Sequence, residues 1–385
     1  MDEEEKEEFE QVQASSVRSC EVILYPPSAT MEDVKKVILE HSVKDYACIL
    51  HDKDDKKPHI HAMLWLSNPT PFESVVKWFA SLGVTATNIG RIKSKKGALA
   101  YLTHSNKPWK HVYPIEDVMR SDGIKEELET ATNEAKRKCD IKAMCDKVAL
   151  GEMSPRSLYT ALSGVEVREN RKLIDGSVEA RLIKASTLKE KNMKVIYICG
   201  PSGSGKSTLA RFYASLWSTE APYISSSSND PLQDYNLEPV IILDDLRGDS
   251  FKFADLLKLL DNHVPSSVKC RYRNKSIDAK YLIITSTRKP QELYSADTFS
   301  ADDNLDQLKR RINALYRIDK DGNIYQGCYT YNEKKKTREA IMQGAPVSNM
   351  DMVFKQMNII EKASDVLSEI SEMFASLGKK KQETR

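Results

Sequence analysis

The chain has 385 residues, 40% of them hydrophobic and 30% charged, which is too long for one ordinary domain and too apolar for wholesale disorder. Its formal net charge of +2 conceals an acidic head and several basic runs. No stretch reaches the roughly 20 apolar residues that a membrane-spanning helix needs.

The head reads Met1-Asp2-Glu3-Glu4-Glu5-Lys6-Glu7-Glu8, the reverse of a basic, apolar signal peptide, and residues 1–17 are expected to be disordered. From 18 to 118 the apolar runs Val22–Tyr25, Tyr46–Leu50 and His59–Leu66 predict strands. Pro71–Leu82, closed by Gly83, and Gly97–His104 predict helices, so this region is expected to be a small α+β domain. Residues 119–190 turn to Lys, Glu, Ala and Leu and predict a helical linker or oligomerisation region. From 191 to 330 the buried-type runs Lys194–Cys199, Val240–Leu243 and Lys280–Ile284 alternate with helical patterns, as in a mainly parallel α/β sheet. Residues 331–385 hold a basic stretch and an amphipathic segment, Met350 to Leu377, that suits a packing or partner helix. Seven cysteines, at 20, 48, 139, 145, 199, 270 and 328, follow no paired pattern and suit a reducing, intracellular compartment.

The segment Gly200-Pro201-Ser202-Gly203-Ser204-Gly205-Lys206-Ser207-Thr208 fits G-x-x-x-x-G-K-S between a strand and a helix. The glycines let backbone N–H groups turn toward phosphate oxygens, Lys206 reaches the terminal phosphates of ATP, and Ser207 is suited to Mg²⁺. The strand Ile241-Ile242-Leu243 delivers Asp244 and Asp245, carboxylates placed to hold Mg²⁺ through water and to polarise an attacking water.

His59 and His61 are two apart on a strand, so both imidazoles face one side and could share a metal ion. Just upstream, His51-Asp52-Lys53-Asp54 offers a further imidazole and a carboxylate, a donor mixture suited to Mn²⁺ or Mg²⁺. Taken alone, a His-x-His pair is more often surface decoration than a ligand set. Tyr101, on the helix that follows the basic run Arg91-Ile92-Lys93-Ser94-Lys95-Lys96, is core if it stands alone and a nucleophile if it stands beside a metal. Lys93, Lys95 and Lys96 are candidate DNA contacts, as are Lys269, Arg271, Arg273 and Lys275 around Tyr272; for either cluster a solvated face is the plain alternative. His104 and His111 could touch DNA or the metal shell, with a surface or core position as the plainer reading, and Tyr113 is read as structural.

These motifs carry two resemblances. Val22 to Tyr113 resembles the HUH-type replication initiators of rolling-circle plasmids, through Val22-Ile23-Leu24-Tyr25-Pro26, Pro58-His59-Ile60-His61 and Tyr101-Leu102-Thr103-His104 in that order. The resemblance implies an antiparallel sheet with flanking helices, with His51, Asp54, His59 and His61 as metal ligands. It also implies that Tyr101 attacks DNA to leave a 5′-phosphotyrosine and a free 3′-OH. The second half is similar to the superfamily 3 helicase domain, AAA+-like, of circular single-stranded DNA virus initiators. In that comparison Gly200–Thr208 is Walker A, Ile241–Asp245 is Walker B, and Ile284-Thr285-Ser286-Thr287 is motif C, with Thr287 where the family has asparagine. Arg310-Arg311 stands where one arginine serves as a finger toward a neighbouring subunit's ATP.

The implied activity is a replication initiator that nicks and rejoins origin DNA and unwinds it with ATP, 3′ to 5′ by the resemblance. Its implied partners are single- and double-stranded origin DNA, further copies in a hexamer, and host replication proteins, with no membrane. The setting is bacterial cytoplasm for a plasmid or host nucleus for a eukaryotic virus. Two rival readings stand beside it. One is a non-catalytic origin binder or autorepressor, which binds without nicking; the other is a nucleic-acid-stimulated ATPase with an inactive nuclease domain.

Overall fold

In a computed structural model the described residues are 16–54, 56–187, 190–225, 230–263, 267–268, 275–294 and 304–357, with the side chains of 267, 268 and 275 outside the description. The acidic head up to residue 15, Lys269, Arg271, Arg273, the side chain of Lys275, and everything beyond 357 lie outside the described residues. The chain divides into two compact units, Met1–Ala143 and Met144–Arg385.

The first unit is organised by β3 (His59–Pro71), whose opening half is almost continuously buried because the sheet is covered on both faces. It lies between β1 (Ser16–Leu24) and β2 (Val43–His51), with β4 (Ile89–Arg91) and β5 (Met119–Arg120) at the edges, in the order β4-β1-β3-β2-β5. Every pairing is antiparallel. Strand β1 begins at Ser16, inside the stretch expected to be disordered, because Val17 is buried and paired with Thr70.

One face carries Cys20, Val22, Leu24, Ile60, Ala62 and Leu64 under α1 (Met31–Leu39) and α2 (Phe72–Phe79). Thr30 and Asp33 cap α1 reciprocally, satisfying two of its free N–H groups. Gly83 ends the turn after α2 at φ 79°, where a side chain is disfavoured. The opposite face packs Ala47, Ile49 and Met63 against Leu99 and Leu102 of α3 (Lys95–Leu102) and against Leu128 and Ala131 of α4 (Lys125–Leu150). Helix α3 starts before Gly97 because the Ser94 side chain accepts from the Gly97 N–H.

The helical stretch from 119 to 190 is therefore not one separate layer. The first half of α4 completes the core of the first unit, whereas Cys145 and Val148 lie in the second. There α5 (Pro155–Ala161), α6 (Gly164–Glu169) and α7 (Arg171–Thr187) follow. Buried Arg181 fixes α7 to the rest of this unit, donating to Asp278 at 3.1 Å and to the carbonyls of Met153 and Leu237 at 2.7 and 3.0 Å.

The second unit is built on parallel strands β6 (Lys194–Cys199), β7 (Tyr223–Ile224), β8 (Val240–Leu243), β11 (Tyr281–Ser286) and β12 (Ala314–Ile318), in the order β7-β8-β11-β6-β12. Strands β9 (Ser267–Val268) and β10 (Lys275–Ser276) form a separate antiparallel pair. The main sheet then turns antiparallel through β13 (Asn323–Asn332), β14 (Thr337–Met342) and β15 (Ser348–Asn349), so it is mixed and runs past residue 330. The basic run 334–338 sits at the β13–β14 turn, where Lys335 pairs with Glu339 at 2.6 Å and Arg338 with Asp306 at 2.8 Å.

Alternate residues of β6 feed two core layers, Val195 and Tyr197 on one face and Ile196 and Ile198 on the other. Helices α8 (Lys206–Trp217), α9 (Phe253–Leu259) and α10 (Leu305–Lys309) cover this sheet, and residues 350–357 form a last helix that buries Met350 and Val353. Among the described residues no helix is long and apolar enough to cross a membrane.

Candidate functional site

Antiparallel register assembles the first cluster. His51 lies directly opposite His59, and His61 follows two residues on, so three imidazoles share the face that α3 covers. One ligand atom from each of His51, His59 and His61 lies within 4.8 Å of the others, and all three residues are buried. Each ring also has an outward partner. His51 Nε2 is 2.8 Å from the Leu102 carbonyl, His59 Nδ1 is 2.8 Å from the Lys57 carbonyl, and His61 Nδ1 is 2.6 Å from Glu21 Oε1. An imidazole that donates through one nitrogen presents a lone pair on the other. His51 Nδ1 and His61 Nε2 are buried without a hydrogen-bond partner, so these residues could hold a metal ion. Burial pushes the His51 imidazole down to about 3 and lowers His59 as well, so both are neutral donors near pH 7.

Tyr101 projects from α3 onto this cluster, its ring 5.3 Å from that of His61 and 6.1 Å from that of His51. Its hydroxyl is 3.4 Å from Lys110 Nζ.

The expected set of four ligands is divided. Asp54 groups with His51 and His104 rather than with His59 and His61. The Lys110 ammonium draws it aside at 3.2 Å, and His104 Nδ1 is 3.6 Å from its other oxygen. Burial alone would raise the Asp54 carboxyl, but the Lys110 hydrogen bond and the charges of His104 and Lys110 outweigh it and hold the group below the usual carboxylate range.

Two residues of this site, Glu21 and Lys110, were not singled out by the sequence, and two others, His104 and Tyr113, were weighed there and read as surface or core. Glu21 is opposite Met63, two places from the Ile23–His61 pair and so on the same face; a lone acid inside an apolar strand is the signal that marks it. His104, fully buried as its core reading allows, returns to the cluster because the chain leaves α3 at φ 55°. Tyr113 stacks on His51 at 4.7 Å and accepts from the Lys53 N–H at 2.8 Å.

The basic run on α3 is largely spent within the unit. Lys95 pairs with Glu127 and lies 5.2 Å over the Trp65 ring, and Lys96 pairs with Glu134, because the acidic first half of α4 runs beside α3. Of the three candidate DNA contacts there, Lys93 and Lys96 are exposed and Lys95 is half-buried.

In the second unit the glycine-rich loop follows β6 and leads into α8, at the carboxyl ends of parallel strands, where such folds bind ligands. Gly203 and Gly205 adopt φ 74° and 87°. Lys206 Nζ donates to the Pro201 carbonyl at 2.6 Å. Asp244 Oδ1 accepts from both Ser207 Oγ and Thr285 Oγ1 at 2.7 Å. A cleft of about 920 Å³ opens here, lined by Ser202, Lys206, Ser207, Asp245, Thr287 and Arg288 among others. Asp245 reaches it from a strained φ of 48° and pairs with Arg247 at 3.0 Å. Gly200, Ser204 and Thr208 complete the loop and the start of α8.

Arg310 is exposed, whereas Arg311 is turned inward, bonded to Asp261 at 2.5 Å and to the Gln307 carbonyl at 2.8 Å. Arg311 is thus committed inside its own unit in this structure.

Residues 13–126 match the family "Plasmid replication protein, origin binding domain", and residues 196–288 match the family "RNA helicase". A replication protein of Onion yellows phytoplasma is 33% identical over 79% of this chain and 85% of its own length. The replication protein RepB of Lactiplantibacillus plantarum is 32% identical over 28% of this chain and 50% of its own. A stretch of 120 residues is 30% identical to 5% of the genome polyprotein of a bovine enteric calicivirus. With a single relative spanning both units, the chain belongs to the family of replication proteins that join a plasmid origin-binding domain to a helicase-type domain.

Proposed function

We propose that this replication initiator nicks and rejoins one strand of its origin through Tyr101 and separates the strands with ATP in its second unit. The observation that carries the nicking half is the buried trio His51, His59 and His61 beside Tyr101, with two ring nitrogens unpartnered. These residues would hold Mn²⁺ or Mg²⁺, which when bound polarises a phosphodiester oxygen. Glu21 and the carbonyls of Leu102 and Lys57 fix the ring orientations. Lys110 donates to the Tyr101 oxygen and keeps it near the cluster. As the Tyr101 oxygen bonds to phosphorus, the bond to the 3′ oxygen breaks, the phenolic proton passes to solvent, and the 3′ oxygen takes one up. Because the new bond is again a phosphodiester, the reverse step rejoins the strand.

In the second unit Lys206 and the loop N–H groups suit the phosphates of ATP, Ser207 and Asp244 suit Mg²⁺, and Asp245 faces the cleft where an attacking water would stand. Thr287 also lines that cleft, in place to sense the terminal phosphate. Exposed Arg310 is the member of the arginine pair suited to act across a subunit boundary, in a hexamer by the family resemblance.

The decisive experiment incubates full-length protein and Tyr101→Phe with a labelled single-stranded origin oligonucleotide and Mn²⁺. Wild type is expected to form a denaturation-resistant DNA adduct, and Tyr101→Phe none. An adduct that survives the substitution places the nucleophile elsewhere. Origin binding with no cleavage by wild type favours the non-catalytic binder.

A further inference from the structure

The first unit carries an exposed aromatic residue that neither core packing nor the nicking chemistry uses. Of the four tryptophans, at 65, 78, 109 and 217, Trp109 is the exposed one, with 73% of its surface open to solvent. A large ring held in water has an unfavourable hydration cost unless it meets a partner.

Its loop is tied to the candidate nicking site along its length. Tyr113 N–H donates to the Thr103 carbonyl at 3.1 Å, Lys107 N–H to the His104 carbonyl at 2.8 Å, and Lys110 N–H to the Lys107 carbonyl at 2.9 Å. His104 Nδ1 is 2.8 Å from the His111 carbonyl. The ring is therefore presented by a braced turn. Lys107 Nζ lies 5.1 Å over it, and Lys110 connects the same turn to the Tyr101 hydroxyl. Residues 105–112 contain Lys107, Lys110 and His111 and no acidic residue. A second exposed ring, Tyr25 at 49%, lies 6.3 Å from His59.

Exposed aromatic faces interleaved with cations suit a ligand that is both π-rich and polyanionic, and only unpaired bases offer their faces. We propose that Trp109, with Tyr25 as a second platform, stacks on unpaired bases of single-stranded DNA next to the phosphate that Tyr101 attacks. The inference rests on the reading of Tyr101 as a nucleophile toward DNA. A stacking residue of this kind seats the strand without reading its sequence, and it favours melted over paired DNA.

The test uses the full chain and follows tryptophan emission during titration with oligothymidylate and, separately, with the oligothymidylate–oligoadenylate duplex. Wild type is expected to lose emission on single-stranded DNA, and Trp109→Phe to lack that component. Trp109→Ala, at an exposed position where folding is insensitive, is expected to weaken the binding measured at the first unit by on the order of 10-fold or more while leaving its salt dependence unchanged. Lys107→Ala is expected to flatten the salt dependence instead. Equal quenching in wild type and Trp109→Phe overturns the proposal, as does quenching by duplex as strong as by single strands. Failure of the nicking reading looks different: Trp109-specific quenching persists, also in Tyr101→Phe, with no DNA adduct from wild type.

Discussion

In the first unit His51 and His61 each spend one ring nitrogen on a protein partner and keep the other buried and unpartnered. In the second unit Lys206 is bonded to the Pro201 carbonyl, and Ser207 and Thr285 both donate to Asp244. The imidazole cluster thus carries the cost of unsatisfied polar atoms within its fold, a cost that a cation bound there, on the proposed reading, would relieve. Lys206 and Ser207 of the phosphate loop are satisfied internally, although Ser204 Oγ is not, so on the proposed reading a nucleotide would replace bonds that each contribute about 1 kcal/mol. If both sites bind as proposed, affinity at the first would follow from how rigidly the rings are aimed, and at the second from an exchange of partners.

Five substitutions break or sharpen that contrast, from the largest effect to the smallest. His51→Ala removes the residue common to both ligand groups, so Mn²⁺ binding by calorimetry and adduct formation should both be lost, with ATPase activity kept. Nicking that survives would mean His51 only fills the core. Lys206→Ala should lower ATP turnover by about 100-fold or more, the scale of losing one preorganised contact to developing charge, while adduct formation stays at the wild-type rate. A matching loss of nicking would show that the two sites are coupled.

Glu21→Gln keeps the shape of the side chain but weakens its hold on His61, and should cost about 10- to 100-fold in Mn²⁺ affinity. An unchanged isotherm would refute the view that aim governs the first site. At the small end, Lys95→Ala and Lys96→Ala remove surface partners of Glu127 and Glu134, so each should shift stability by no more than about 1 kcal/mol in thermal unfolding. DNA affinity in the same variants tests their other role: a clear drop marks these lysines as DNA contacts, and an unchanged affinity limits them to the surface pairs.

The sequence reveals elements whose signal is local. Continuous apolar runs mark β3, β6 and β8, and the His59–His61 spacing places both rings on one face before any tertiary information enters. What it hides depends on pairing between distant segments. Glu21 reaches His61 only through the β1–β3 register, and Lys110 meets Asp54 only because a left-handed residue at 104 returns the chain to the cluster. Strand β13 is half exposed along most of its length and ends in a basic turn, so it lacks the clean alternation that marks a strand. The contrast between Arg310 and Arg311 is likewise set by Asp261, 50 residues away in sequence.

The pairing of His51 with His59 also acts as a proofreading device for the chain itself. Strand side chains alternate between faces, so a slip of one residue in the β2–β3 ladder would drive His59 and His61 into the layer now filled by Ile60 and Ala62. A mispaired protein would then have no imidazole trio beside Tyr101. On the proposed reading, the strand register that completes the sheet would also be what assembles the nicking site, so a misfolded chain would be unable to cut.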